Sequence, residues 1–396
     1  MTASGPESLF ARGIDRLLGM GAGFRRTLER AVGAYGRFRS RWYALPILVV
    51  VTFLLLSILP FTLEVTIFGV PIGAFLTVQT LILALIWATT AQAWNIATGY
   101  AGQFSFGHAA FFGLGAYLPI LLIEYHTINP WIGMLVGGLI AALYGLVIGG
   151  LCFRYGVRDE YFGLTTLAFA ELLRYVFLNA DWLGGASGFV KPLPREYADG
   201  YGLLAFQFTS DLEYYYLILA FLAVVTLVSL VIRQSRFGLY LFAIRDDERG
   251  AAALGVPTFR YKLAAFVVSA FFTAWAGAFW GMYFSSIRPE VVFDLLVNVE
   301  ILLPAVVGGA GTVLGPIVGS IAVTPSAEIA RELADVPGID WIVYGGFLIV
   351  IALYSPGGVI SWPSRLVALL GIQPDEDAND ASPNDGEDGD KIRQET

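Results

Sequence analysis

The chain is almost without cysteine: Cys152 is the single one in 396 residues, and it stands in an apolar run. A disulfide framework and a thiolate metal centre are therefore excluded. Histidine is nearly as scarce, and His108 and His126 lie too far apart, with too few partner ligands, to suggest a metal site. No Gly-Lys pair occurs, so there is no phosphate-binding P-loop and no nucleotide hydrolysis is expected of this chain. His-Glu-x-x-His, Gly-x-Ser-x-Gly and clustered catalytic carboxylates are also missing, which leaves an enzyme reading without support. Charge is sparse at 14% of residues, and only three of the 24 basic residues are lysine. What fills the chain instead is apolar: 57% hydrophobic residues and a mean hydropathy of +0.68. That composition predicts an all-α polytopic membrane protein rather than a soluble domain.

The charges that exist are segregated. Residues 375–396 hold nine acids against Lys391 and Arg393, whereas residues 1–43 hold eight arginines against Glu7, Asp15 and Glu29. The sequence is accordingly divided into a basic amphipathic cytoplasmic segment at 1–43, a transmembrane domain at 44–358, and an acidic disordered tail at 359–396. The arginine-rich start does not read as a signal peptide.

A membrane-crossing helix needs about 20 apolar residues. Candidate spans fall near 44–61, 72–98, 107–126, 131–153, 161–180, 213–232, 262–284, 295–309, 312–330 and 339–356, about ten in all. With the N-terminus inside, nineteen Lys and Arg fall on the inner side and four on the outer. The positive-inside rule thus places both termini in the cytoplasm of a multi-pass cell-membrane protein. Nine spans remain open as an alternative, because residues 295–309 are short for a crossing.

Two glycine-rich interruptions break this apolar pattern. One runs from Gly99 to Gly107, followed at once by His108; the other is Gly308-Gly-Ala-Gly-Thr-Val-Leu-Gly315, 209 residues later. Broken helices at membrane depth free backbone groups that lipid cannot satisfy, so they belong inside protein or beside water. Paired interruptions in two halves point to a transport pathway and to two weak parallel repeats. The candidate turn residues are Asn95, Gly99, Gly102, Gln103, Ser105, Gly107, His108, Gly308, Gly309, Gly311 and Gly315, with Gln92 and Asn298 nearby. Two roles compete for the polar members: bonding the freed backbone, or touching a passing substrate. Glu171, Arg174 and Glu300 are further polar residues within spans. Glu171 and Arg174 share a helical face and can pair, either structurally or along a pathway.

The longest inner connection contains Arg245-Asp-Asp-Glu-Arg-Gly-Ala-Ala-Ala-Leu-Gly255-Val-Pro. It reads as one short helix, capped by Asp246, with Glu248 in its first turn and a stop at Gly255 and Pro257. On spacing alone it is either a docking element for a cytoplasmic partner or a membrane-surface connector.

At this point the residues resemble a known family. Asn95-Ile-Ala-Thr-Gly-Tyr-Ala-Gly-Gln-Phe-Ser-Phe-Gly-His108, continuing to Tyr117, is similar to the signature of branched-chain amino acid ABC transporter permeases. So are Tyr161-Phe-Gly-Leu-Thr-Thr-Leu-Ala168, Ser235-Arg-Phe-Gly238, Ala243–Gly255 and Gly308–Pro316, in the family's order over residues 70–360. The longer second loop and the Arg-Asp-Asp-Glu segment resemble the LivM-type subunit rather than its LivH-type partner. The resemblance implies a heterodimer with a second permease, two cytoplasmic ABC ATPases that use ATP and Mg, and an extracytoplasmic substrate-binding protein. It implies no cofactor on this chain and no nucleic-acid partner. It also implies that Arg245, Asp246, Asp247, Glu248, Ala252, Leu254 and Gly255 couple the permease to an ATPase. The cargo expected is a branched-chain or other apolar amino acid. Alternatives are urea or a short amide carried by the same machine, or a channel or secondary transporter that needs no ATPase.

Overall fold

A computed structural model describes residues 44–64, 66–67, 70–71, 76–126, 128–157, 159–189, 202–334, 338–355 and 357–361. The basic segment 1–43 and the acidic tail beyond 361 lie outside the described residues. Among the described residues, the body at 49–361 is built of helices and their connections, with one two-residue antiparallel strand pair, β1 (Thr66–Ile67) with β2 (Val70–Pro71).

Each expected span has a helix in its place: α1 (Ala44–Ile58), α2 (Val78–Asn95), α3 (His108–His126), α4 (Pro130–Arg154), α5 (Asp159–Asn179) and α6 (Asp211–Gln234). Two short helices, α7 (Arg236–Asp246) and α8 (Glu248–Ala253), lead to α9 (Thr258–Phe284). The chain then forms α10 (Pro289–Val292), α11 (Leu295–Gly308), α12 (Gly315–Ala334) and α13 (Ile339–Tyr354). Among the described residues, eight helices are long and apolar enough to cross a membrane. The eighth is α10 and α11 together, Pro289–Gly308, so the short span at 295–309 gains its length from residues before it. Asp294 restarts the helix by accepting from the Leu296 N–H at 2.8 Å. Residues 312–330 form the helix expected of them, but α12 carries Glu328, Arg331 and Glu332 near its end. Arg331 ties it to α13 through Asp340 at 2.8 Å.

α2 is the central helix. From Thr80 to Asn95 every residue but Leu83 is buried, and α6, α9, α11 and α12 surround it. It begins later than its apolar run suggests, because the Thr77 hydroxyl caps it by accepting from the Thr80 N–H. Its buried hydroxyls, Thr89 and Thr90, donate back to Leu85 O and to Trp87 O, so they cost nothing in an apolar interior.

Beside it α3, α4 and α9 pack as a triplet. Its contacts are made by small residues, since no hydrophobic force separates helix from lipid and close backbone approach must do the work. A side chain at Gly115 would strike the Ala274 backbone on α9, and one at Gly277 would strike the Phe112 carbonyl on α3. These two glycines therefore serve packing within the chain. α1, α4 and α5 present rows of exposed Leu, Ile and Val outward, as lipid- or partner-facing helices do.

At one end of the bundle the connections are stitched together. Phe189 and Ile287 exchange backbone hydrogen bonds of 2.9 and 3.0 Å, and the Trp131 indole donates to Leu203 O at 2.7 Å. The other end carries α7, α8 and both glycine turns.

Candidate functional site

The site grows from the way α2 ends. After Asn95 the helix widens into a π turn, Ile96–Tyr100, and the chain then leaves helical geometry through residue 107. Widening an α-helix releases carbonyls from the i−4 ladder. Some are recaptured locally: Gly102 and Gln103 N–H groups donate to Thr98 O and Ala97 O, at 3.1 and 3.0 Å. The Thr98 hydroxyl donates to Gln103 O, and the Gln103 amide donates to Ala101 O, both at 2.9 Å.

Gly99 O is taken by something else. The Arg245 guanidinium, on the last turn of α7, donates to it at 2.9 Å. The second turn repeats the pattern: Arg233, on the last turn of α6, donates to Gly311 O at 2.7 Å. Both arginines stack over the ring of Phe242, 5.1 Å from its centroid for Arg245 and 5.8 Å for Arg233.

The two turns also touch each other. Asn95 uses both ends of its amide on the second turn: Gly311 N–H donates to Oδ1 at 2.7 Å, and Nδ2 donates to Thr312 O at 2.8 Å. A side chain at Gly99 would overlap Asn95 Oδ1 and lie 2.6 Å from Gly311 N, so only glycine fits. Gly311 and Gly102 hold φ values of +82° and +70°, conformations that favour glycine. Gly309 and Gly315 close the second turn around Thr312, whose hydroxyl donates to Gly309 O and accepts from Gly315 N–H. Gly308 lies where α11 and α12 meet, against Gly315 and Gly319.

His108 and Ser105 sit one layer deeper. The Ser269 hydroxyl donates to Ala93 O at 2.7 Å, so its oxygen accepts from His108 Nε2–H at 2.8 Å. His108 Nδ1 then accepts from the Ser105 hydroxyl at 3.1 Å, which in turn accepts from Gly107 N–H. His108 thereby braces α2, α3 and α9 against one another. Asn298 on α11 completes the brace by accepting from the Ala109 N–H at 2.8 Å, capping the start of α3. Asn95, Gln103 and Ser105 bond backbone groups of the turns, and His108 bonds the Ser105 and Ser269 hydroxyls. Gln92 is different: it is fully buried and neither amide atom has a partner among the described residues.

The inner connection requires a correction. Residues 245–255 form two helical pieces, with the break at Asp247, so Arg245 and Asp246 end α7 and do not begin α8. Asp247 is the cap, accepting from the Arg249 N–H at 3.0 Å, because its backbone leaves the helical region (φ −154°, ψ 101°). Asp246 is exposed and pairs with Arg245 at 3.2 Å. Glu248 pairs with Lys262 at 2.8 Å, and that lysine, 3% exposed, also lies 4.7 Å above the Phe153 ring of α4. α8 is thereby bolted to α4 and α9. Its outer side carries exposed Ala252 and Ala253, then Leu254 at 88% exposure and Gly255 at φ +88°.

The remaining intramembrane candidates stand apart. Glu171 and Arg174 form their own 2.8 Å pair on α5, with Arg174 also over the Tyr175 ring. Glu300 on α11 takes part in none of the contacts around the turns. Sequence reasoning missed Arg233, Phe242, Lys262 and Ser269. Only Lys262 left a signal, as a lysine opening an apolar run in a chain that otherwise uses arginine. Among the described residues no group of three His, Cys, Asp or Glu is placed to hold a metal ion.

This architecture is that of a multi-pass membrane permease built around two interlocked broken hairpins. Residues 76–352 match the family described as branched-chain amino acid transport system, permease component, and the chain belongs to that family. Its LivM type agrees with the relatives. The LivM permease protein of the high-affinity branched-chain amino acid transport system of Escherichia coli (strain K12) is 26% identical over 305 residues, covering 72% of this chain and 70% of the relative. Its counterpart in Salmonella typhimurium (strain LT2) is 25% identical, covering 70% and 68%. The LivH protein of the same Salmonella strain is 24% identical, covering 71% of this chain and 93% of the relative.

Proposed function

We propose that this permease subunit of an ABC importer passes branched-chain or other apolar amino acids inward by alternating access, paired with a second permease. One of two ATPases docks on the α7–α8 face, which lies in the cytoplasm with both termini, and the other docks on the second permease. ATP and Mg act in those partner chains, and this chain performs no catalysis. An extracytoplasmic binding protein delivers the cargo.

The observation that carries the reading is α8. An exposed Leu254, flanked by small residues, stands on a helix that Glu248 and Lys262 fix to the bundle. An apolar side chain held out into water on a rigid mount is suited to docking a partner rather than to folding its own chain. The test is uptake of labelled leucine into proteoliposomes holding the complete complex, with the binding protein outside and ATP inside. ATP-dependent accumulation supports the reading. Equal uptake with the ATPases omitted replaces it with a channel or secondary transporter, and accumulation of labelled urea with none of labelled leucine reassigns the cargo.

A further inference from the structure

α2 runs into the first turn and α11 into the second, and in each turn an arginine holds a carbonyl, Arg245 on Gly99 O and Arg233 on Gly311 O. Cations suit helix C-termini because the carbonyl ends carry partial negative charge. What is unusual is where the arginines come from. Arg245 lies two residues before the cap of α8, and Arg233 lies two residues before Ser235, which caps α7. The α6–α7 corner between them is tight: the Ser235 hydroxyl donates to Ile232 O at 2.7 Å and accepts from Gly238 N–H at 3.3 Å. Asn95 in turn joins the two turns, so whatever moves one moves the other.

We propose that Arg233 and Arg245, with Phe242 beneath both guanidinium groups, form the clasp through which displacement of α8 reaches the two glycine turns. This rests on the importer reading and adds to it the positioning residues that link docking to the pathway. A shift of α8 moves the Arg245 backbone, and its guanidinium carries Gly99 O with it. Asn95 passes the motion to Gly311, and four helices pivot: α2, α3, α11 and α12. The clasp has two discrete states, since each carbonyl is held by a charged donor or by water. Water can reach it, because the Arg245 side chain is 38% exposed. A bistable element whose balance the docking site biases is the physical requirement for coupling at a distance.

The experiment measures uptake per ATP hydrolysed in the complete reconstituted complex for R233Q, R245Q, the double variant and R245K. Loss of one charged hydrogen bond predicts a fall of about ten- to a hundredfold in that ratio for each single variant. Because both arginines act on one joined pair of turns, the double variant falls no further than the worse single one. R245K, which keeps the charge but not the planar fork, falls between wild type and R245Q. Unchanged ratios in variants that reach the membrane overturn the clasp, as do losses that multiply in the double variant. F242L retains both hydrogen bonds and removes the shared ring; a wild-type ratio there also overturns it. A wild-type complex with no ATP-driven uptake overturns the importer reading itself, and the clasp with it.

Discussion

Replacing Glu248 by Gln should loosen the corner where α8 meets α4 and α9, and Cys152 is placed to report it. Lys262 Nζ lies 2.8 Å from Glu248 Oε1 with its side chain 3% exposed, so the variant strands a buried ammonium. Breaking a buried pair from one side costs about 3–5 kcal/mol. The amide oxygen of the variant still accepts from the ammonium, and the Glu248 side chain is 21% exposed, so the net loss is about 2–4 kcal/mol. Cys152 adjoins Phe153 in sequence and is 2% exposed, so its thiol reacts only when this region opens. If opening equilibrates faster than labelling, the labelling rate should rise by roughly 30- to 1000-fold. The assay is stopped-time thiol labelling of the purified protein in lipid nanodiscs, with Cys152→Ser as the blank. Adding Lys262→Met should restore most of the protection, because it removes the buried charge and the amide at position 248, where the side chain is 21% exposed, can meet water. A labelling rate for E248Q equal to wild type, or a double variant as loose as the single one, would refute the reasoning.

Four further outcomes are expected. Gly99→Ala must break the Asn95–Gly311 hydrogen bond to make room, an overpacking cost of about 1–3 kcal/mol, read as a lower thermal midpoint and lost uptake. Asp247→Ala removes the α8 cap and should cost about 1 kcal/mol in local stability, seen as faster amide exchange over residues 248–253. Asp246→Ala, at an exposed position, should change exchange by less than about 0.5 kcal/mol. Deletion after Pro374 removes the nine acids of the tail and should leave uptake nearly intact; complete loss of activity would show that the tail is more than a solubilising segment.

The helices were legible because lipid demands long apolar runs, and every run expected to span became a helix. The glycine turns were legible for the converse reason: Asn95, Gly99, Gln103 and Gly311 are costly in such runs unless something requires them. Their partnership was not. Asn95 and Gly311 are 216 residues apart, and no local pattern records that one amide will serve both atoms of a distant turn. Arg233 was hidden by its usefulness as a topology marker, and Arg245 read as a coupling residue facing a partner; that each donates to a backbone carbonyl of a glycine turn left no local signal. Asp246 and Asp247 are chemically identical caps on paper. The choice between them fell to backbone geometry, once α7 had grown from Ser235 far enough to absorb Asp246. The extra length of the eighth span came from Pro289–Val292, whose Phe293 fills the space left by Gly113, a tertiary fit that periodicity does not register.

Central to the account is α8 as the place where an ATPase takes hold, and Leu254, 88% exposed, is its most outward apolar residue. In a Cys152→Ser background, Leu254→Cys should cross-link to a cysteine placed on the ATPase surface when the full complex is assembled in membranes. The yield should change when ATP binds, and the variant should insert normally. No cross-link at 254 in a complex that still accumulates leucine with ATP would contradict the account.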